Sequence, residues 1–330
     1  MRKRTPRAVP SASGSNAAAS SAYARTGGQA ARCFRRSSSE RRAWYANAVR
    51  FSARLAVFTG LLLAAGCHET TGTLLTLAQA PDAGTADSDA NAAPSRPGPD
   101  TTWQIQLSGT IDPSFDVNMY ELDLFSLDSA TAKLLHDRGR IITCYVSVGS
   151  AEPYRADYAS FPVSAVGNAL FDYPEEHWLD ERNATVRSLM AARLQLASVS
   201  GCDAVELSNL QAHVQDSGFP LTPSDELDYA RWLLEQSHAH GLLAGVSPSD
   251  DLVASLAADA DWGFTEGCLA DAGCQAWQPF TAAQQPVFLV EYGSASDAPS
   301  LCAQAVQLGY SLVIKHRELD AFRAGCPATN

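Results

Sequence analysis

Acidic residues recur at the ends of short apolar runs downstream of residue 100. Glu121 and Asp123 lie in YELDLF, Glu152 follows IITCYVSV, Glu206 lies in DAVELS, Glu266 in DWGFTE and Glu291 in PVFLVEY. A single such residue is best read as a solvated or Arg-paired carboxylate. Carboxylates at the ends of five strands, converging on one mouth, would raise each other's pKa and destabilise the fold unless put to use. Two carboxyls facing a cleft suit cleavage of a glycosidic bond, one as acid and the other as nucleophile or base. Trp103, Tyr145, Tyr154, Trp178, Trp262 and Tyr292 recur near the same ends and could stack on sugar rings, although each is more often core than platform. Ser147 and Ser150 have no His partner nearby in sequence, so nothing points to a serine hydrolase.

The elements that must position these residues alternate regularly. Eight β-branched or aromatic runs begin at Trp103, Tyr120, Ile141, Asp203, Leu242, Asp261, Pro286 and Tyr310. Helical periods fall between them, at 129–137, 183–199 and 225–240, with stop signals at Gly139, Gly201 and Gly241. Thr222 or Ser224 is placed to cap the third of these helices. Strand and helix in this rhythm over residues 101–330 predict one (β/α)8 TIM barrel, whose side chains at the C-terminal strand ends would face a common mouth. An open doubly wound sheet is the rival, weakened because no Gly-rich phosphate turn follows the first strand.

Charge divides the chain. Residues 1–60 hold twelve of the 24 Lys and Arg but a single acid, Glu40, so the net charge of −12 belongs to an acidic body behind a basic leader. Residues 1–48 read as a disordered basic extension. Residues 49–67 read as a signal segment: Arg50 and Arg54 precede LAVFTGLLLAAG, which ends at Cys67, a candidate for lipidation. Residues 68–100 read as a tether. The expected location is therefore outside the cytoplasm, as a cell-envelope lipoprotein or a secreted protein. Of six cysteines in the body, Cys268 with Cys274 and Cys302 with Cys326 are placed to pair, as expected in an oxidising compartment. Cys144, inside an apolar strand, reads as a buried thiol. No His lies at ligand spacing from these cysteines, so no metal or cofactor is expected.

WQIQLSGTID, YELDLFSLDSAT, GRIITCYVSVGSAE, WLDER, GCDAVELSN, DSGFPLT, TEGC with its second Cys274, PVFLVEYG and IKHRELDAFR occur in collinear order from Trp103 to Cys326. Together they resemble the family 114 glycoside hydrolases, the endo-α-1,4-polygalactosaminidase barrels. The resemblance implies a (β/α)8 fold outside the cytoplasm and hydrolysis of galactosamine-rich exopolysaccharide. An acidic body agrees, since a polymer of free amino sugars is cationic.

The chain also departs from the family pattern. Glu206, Leu207, Ser208 and Asn209 stand where the family reads acid, Pro, Asp, Asn. Ser247, Pro248 and Ser249 replace Lys, Asn and Asp; Ala151 replaces an aromatic, and His213 a Tyr. The resemblance makes Glu266 one half of the catalytic pair and puts Ser208 where the other half would stand. The second carboxyl is then expected from Glu206 or Asp123. Glu121, Tyr145, Glu152, Ser208, Asn209, Glu291 and Tyr292 are the expected substrate-binding residues. The expected partner is an amino-sugar poly- or oligosaccharide, with no nucleic acid and with membrane contact only through a lipid at Cys67. The alternative is a carbohydrate-binding lipoprotein that keeps the cleft without its chemistry.

Overall fold

The computed structural model describes residues 96–326, so the basic extension, the signal segment with Cys67 and most of the tether lie outside the described residues. All eight expected strands form, in the expected order. They are β1 (Trp103–Gln106), β2 (Met119–Asp123), β3 (Ile141–Ser147), β7 (Ala204–Leu210), β8 (Leu243–Pro248), β9 (Trp262–Glu266), β10 (Val287–Tyr292) and β11 (Ser311–Lys315). Each pairs in parallel with the next to make one curled sheet. β4 (Ser150–Ala151), β5 (Val166–Ala169) and β6 (His177–Leu179) form a separate small antiparallel sheet within the long excursion that follows β3.

Helices α1 (Ser129–Asp137), α2 (Ala184–Ser200), α3 (Pro223–Ala239), α4 (Asp250–Leu256), α5 (Gln278–Ala282) and α6 (Ala298–Leu308) link successive strands from β2 to β11. The first three start at side-chain caps. Asp128 accepts from the amides of Ala130 and Thr131, Asn183 from those of Thr185 and Val186, and Thr222 forms a reciprocal box with Asp225. Thr222, not Ser224, is thus the cap of α3. The link from β1 to β2 contains no helix among the described residues.

The curl is closed without a ladder between β1 and β11. The chain after β11 lies along the seam, with Ala324–Gly325 forming β12, antiparallel to β11. The amides of Leu107 and Ser108 donate to the Leu319 carbonyl at 2.9 and 3.2 Å. Gln104 Nε2 donates to the Ala321 carbonyl at 3.2 Å, Arg323 Nε to that of Trp103 at 2.8 Å, and Trp103 Nε1 to that of Ser311 at 3.1 Å. The buried Lys315 Nζ donates to Gln104 Oε1 at 3.1 Å and to the Asp320 carbonyl at 2.8 Å. The expected disulfide Cys302–Cys326 fastens the end of this segment to α6.

Strand side chains alternate between two cores. Tyr120, Leu122, Ile142, Cys144, Val146, Val205, Leu207, Val287 and Leu289 face the helices. Met119, Ala204, Trp262, Phe264, Phe288, Val290 and Val313 face inward with Trp103, which packs against Phe288 at 5.1 Å and Phe264 at 5.9 Å between ring centres. This alternation corrects the reading of Cys144. Its outward face meets the chain returning from α2, where Gly201, at φ +91°, turns Cys202 back toward the sheet. The two cysteines form a disulfide with Cα atoms 5.8 Å apart, rather than leaving Cys144 a free thiol.

The Cys144–Cys202 bond spans 58 residues. Loop-closure entropy then gives about 4 kcal/mol of stabilisation. Replacing both cysteines by Ser is expected to lower unfolding stability by about that amount in urea titrations. A non-reducing peptide map of the wild type is expected to contain the Cys144–Cys202 pair.

Candidate active site

A cleft of about 1560 Å³ opens at the carboxyl ends of the strands. Inward parity puts Asp123 of β2, Tyr145 of β3, Ser208 of β7, Ser247 of β8, Glu266 of β9 and Tyr292 of β10 on its wall. The excursion after β3 supplies Glu152, Tyr154, Arg155, Tyr173 and Glu176, and the seam segment adds Arg317 and Glu318. Nine carboxylates line the cleft against two guanidinium groups.

Arg155 absorbs two of these acids. Its guanidinium donates through Nη1 to Asp123 Oδ1 at 2.9 Å and through Nη2 to Asp123 Oδ2. Nε and Nη2 also donate to the two Glu152 oxygens, each at 2.8 Å. The group lies over the Phe125 ring at 4.6 Å. Burial opposes its charge, but the hydrogen bonds to Glu152 and Asp123 outweigh burial and hold Arg155 firmly protonated. Behind it, Arg193 of α2 binds Asp157 at 2.8 and 3.0 Å and the Ser147 carbonyl at 2.8 Å.

Glu266 stands at the last inward position of β9 and keeps solvent exposure within the cleft. Tyr292 Oη donates to its Oε2 at 2.5 Å. Arg317 stacks over the Tyr292 ring at 4.8 Å. The protein packed around Glu266 pushes its carboxyl above the usual range, against the opposing pull of Tyr292 and Arg317.

Glu121 and Glu206 do not reach the cleft, although both were expected there. They have the inward parity of Asp123 and Ser208 but sit two residues deeper, and both are fully buried. All four of their carboxylate oxygens lack hydrogen-bond partners. Burial raises both carboxyls well above the usual range. The neighbouring charge of Glu266 adds to the effect on Glu121, and Glu121 and Glu266 add to it on Glu206. Glu291 has the opposite parity. Its Oε1 accepts from the Leu269 amide at 2.7 Å, so it holds the loop after Glu266 behind the wall rather than meeting a ligand. The same loop is closed by the expected Cys268–Cys274 disulfide. Trp103, Trp178 and Trp262 are core residues, leaving Tyr145, Tyr154 and Tyr292 as the expected aromatics that reach the cleft.

Ser208 and Asn209 form an irregular corner where the β7–β8 register shifts. Asn209 adopts φ +66°, a left-handed conformation that Asn tolerates. Its Nδ2 donates to Ser147 Oγ at 2.9 Å and Ser150 Oγ at 3.3 Å. A Cβ at Gly149 would fall 1.8 Å from the Asn209 carbonyl oxygen, so the two corners can meet only through a glycine. His213, beyond this corner, bonds through Nδ1 to Glu226 of α3 and through Nε2 to Asp251 of α4 at 3.0 Å. Burial opposes its charging, but the bonds to Glu226 and Asp251 raise the imidazole pKa above its ordinary value.

Sequence periodicity missed Glu176, because the excursion that carries it has no helical or strand period long enough to read. Its position ahead of the WLDER stretch was the available signal.

A parallel eight-stranded barrel with carboxylates in a cleft at the strand ends is an arrangement suited to glycoside hydrolysis. Residues 84–329 match the sequence profile of glycoside-hydrolase family GH114, and the chain belongs to that family. Among solved structures, Ega3 of Aspergillus fumigatus, crystallised in complex with galactosamine, is 31% identical with a TM-score of 0.68. The match covers 72% of this chain and 100% of that one. The glycoside hydrolase domain of PelA from Pseudomonas aeruginosa has the same fold at 14% identity and a TM-score of 0.59, over 68% of this chain and 98% of that one. No curated protein sequence matches at a significant level.

The raised carboxyls of Glu121 and Glu206 give a sign to the pH dependence of stability. Each keeps its proton in the folded state at pH values where the unfolded chain has lost it, so stability is fullest below the unfolded pKa and falls as pH rises. Glu206→Gln removes the share of that dependence that Glu206 contributes. Its unfolding temperature is expected to exceed that of the wild type by a few degrees at pH 7.5 and to match it near pH 4, as read by calorimetry.

Proposed function

We propose that this protein is an exported hydrolase of galactosamine-rich polysaccharide, cutting α-1,4-linked chains within the cleft, with Glu266 as an essential carboxyl. The observation that carries the reading is the charge of the cleft: nine carboxylates and two guanidinium groups line it. A polymer with free amines supplies the cations that such a cleft lacks, and field lines focused between low-dielectric walls would gather it. Galactosamine in the Ega3 complex supports the same sugar class. Three disulfides suit an oxidising compartment, and a lipid on Cys67 would hold the barrel at the cell envelope.

A second reading is a carbohydrate-binding lipoprotein that has kept the cleft without turnover. The observation in its favour is Ser208, whose hydroxyl stands on the cleft wall where the family pattern has a carboxylate. A hydroxyl with an ordinary pKa neither protonates a leaving oxygen nor holds charge beside an oxocarbenium ion.

Purified protein is expected to release oligosaccharides from galactosamine-rich polysaccharide, and Glu266→Gln to lower that rate by roughly a thousandfold or more. Saturable binding of the polymer by the wild type, with no product, would favour the second reading.

A further inference from the structure

We infer that Glu176, on the excursion between β3 and α2, is the general acid that works with Glu266 in this cleft. The inference rests on the hydrolase reading above and assigns its second carboxyl.

The hydrogen bonds of the cleft separate Glu176 from its neighbours. Asp123 and Glu152 share Arg155, and Asp251 is bonded to His213, so these three are committed to cations or to a protonatable ring. Glu176 makes no ion pair among the described residues. Its Oε2 lies 3.0 Å from Ser150 Oγ and its Oε1 3.1 Å from Tyr154 Oη. Tyr154 Oη also lies 2.7 Å from Glu152 Oε1. A phenol has one proton and here faces two carboxyl oxygens. Both contacts are satisfied when one acid is protonated and donates to the phenol oxygen, while the phenol donates to the other. Both Glu152 oxygens already accept from Arg155, so the extra proton belongs on Glu176.

Half-burial supports that placement, since it raises the Glu176 carboxyl, with the charge of Glu152 adding to the effect. Ser150, Tyr154 and Arg155 act in the opposite direction. The other titratable groups facing Glu176 are Tyr145 of β3 and Tyr173 of the excursion, both pushed up chiefly by burial. Tyr173 feels the charges of both Glu266 and Glu176. Both carboxyls line the cleft, Glu176 on the excursion that follows β3 and Glu266 at the end of β9. Glu266 accepts the Tyr292 hydroxyl and has Arg317 beside it, and both oppose the effect of burial on its carboxyl.

In the step this assigns, the bond from the anomeric carbon to the bridging oxygen breaks with its electron pair left on oxygen. The proton of Glu176 caps that oxygen. A water supplies the oxygen that replaces it at carbon, and the proton released from that water goes to the carboxylate pair. One water is consumed and the charge of the site is restored.

The test compares α-1,4-linked galactosamine oligosaccharide with the same sugar carried as a 4-nitrophenyl glycoside, whose leaving group needs no proton. Glu176→Gln is expected to lower kcat/KM on the oligosaccharide by roughly a thousandfold, and on the nitrophenyl glycoside by less than about tenfold. It is also expected to flatten the alkaline limb of the pH profile on the oligosaccharide. Glu266→Gln is expected to impair both substrates alike. Equal losses on the two substrates in Glu176→Gln, or no loss on either, would overturn the assignment of Glu176 and leave the hydrolase reading standing. Should Glu176→Gln not fold, the wild-type pH profile decides: an alkaline limb present on the oligosaccharide and absent on the nitrophenyl glycoside supports a general acid, and limbs identical on both overturn it. A wild type without turnover on either substrate overturns the hydrolase reading and this one together.

Discussion

One guanidinium group sets the electrostatics of the cleft. Arg155 binds Asp123 and Glu152 at once, at the point where β2, β3 and the excursion meet. With it in place, the inner end of the cleft holds an ordered ion triad, and the excursion has a fixed attachment to the barrel. Its charge is spent on those two acids; of the others, Asp251 is bonded to His213, Glu266 to Tyr292 and Glu176 to Ser150 and Tyr154. The cleft is therefore short of positive charge, and a cationic ligand completes what the protein leaves incomplete.

Beneath the cleft the barrel interior is split. β1, β9 and β10 fill their side with Trp103, Trp262, Phe264 and Phe288, which pack edge to face. β2, β3 and β7 place Glu121, Thr143 and Glu206 on theirs, each with side-chain oxygens that have no partner. Burying unpartnered carboxyls destabilises a fold unless they stay neutral. The counterweight is the helix-facing core, two disulfides that fasten barrel strands or the seam to the helical layer, and a seam sealed by the C-terminal segment. Buried Glu121 and cleft-lining Asp123 thus differ by two residues along β2, as do buried Glu206 and cleft-lining Ser208 along β7.

That difference marks where sequence stops being informative. Strand positions, one helix cap and two disulfides were legible because each depends on local chemistry: β-branched runs, Thr222 at a helix start, cysteines a few residues apart or flanking one β/α unit. Depth in the barrel was not legible. Whether Glu206 or Ser208 reaches the mouth depends on the stagger of β7 against β3 and β8, which no periodicity within one strand encodes. Glu291 was misplaced for a related reason, since an acid one residue from the inward Tyr292 looks outward. Cys144 needed the turn at Gly201 to bring Cys202 to it, although counting six cysteines with two pairs assigned leaves only these two. Glu176 was invisible because short strands in an irregular excursion carry no repeating pattern.

The most direct measurement of the charge argument is calorimetric titration of the Glu266→Gln protein with galactosamine oligosaccharide and with its fully N-acetylated counterpart, at two ionic strengths. A cleft completed by cations should bind the free amine form far more tightly and lose that preference as salt rises. Equal affinity for both forms, unchanged by salt, would contradict it.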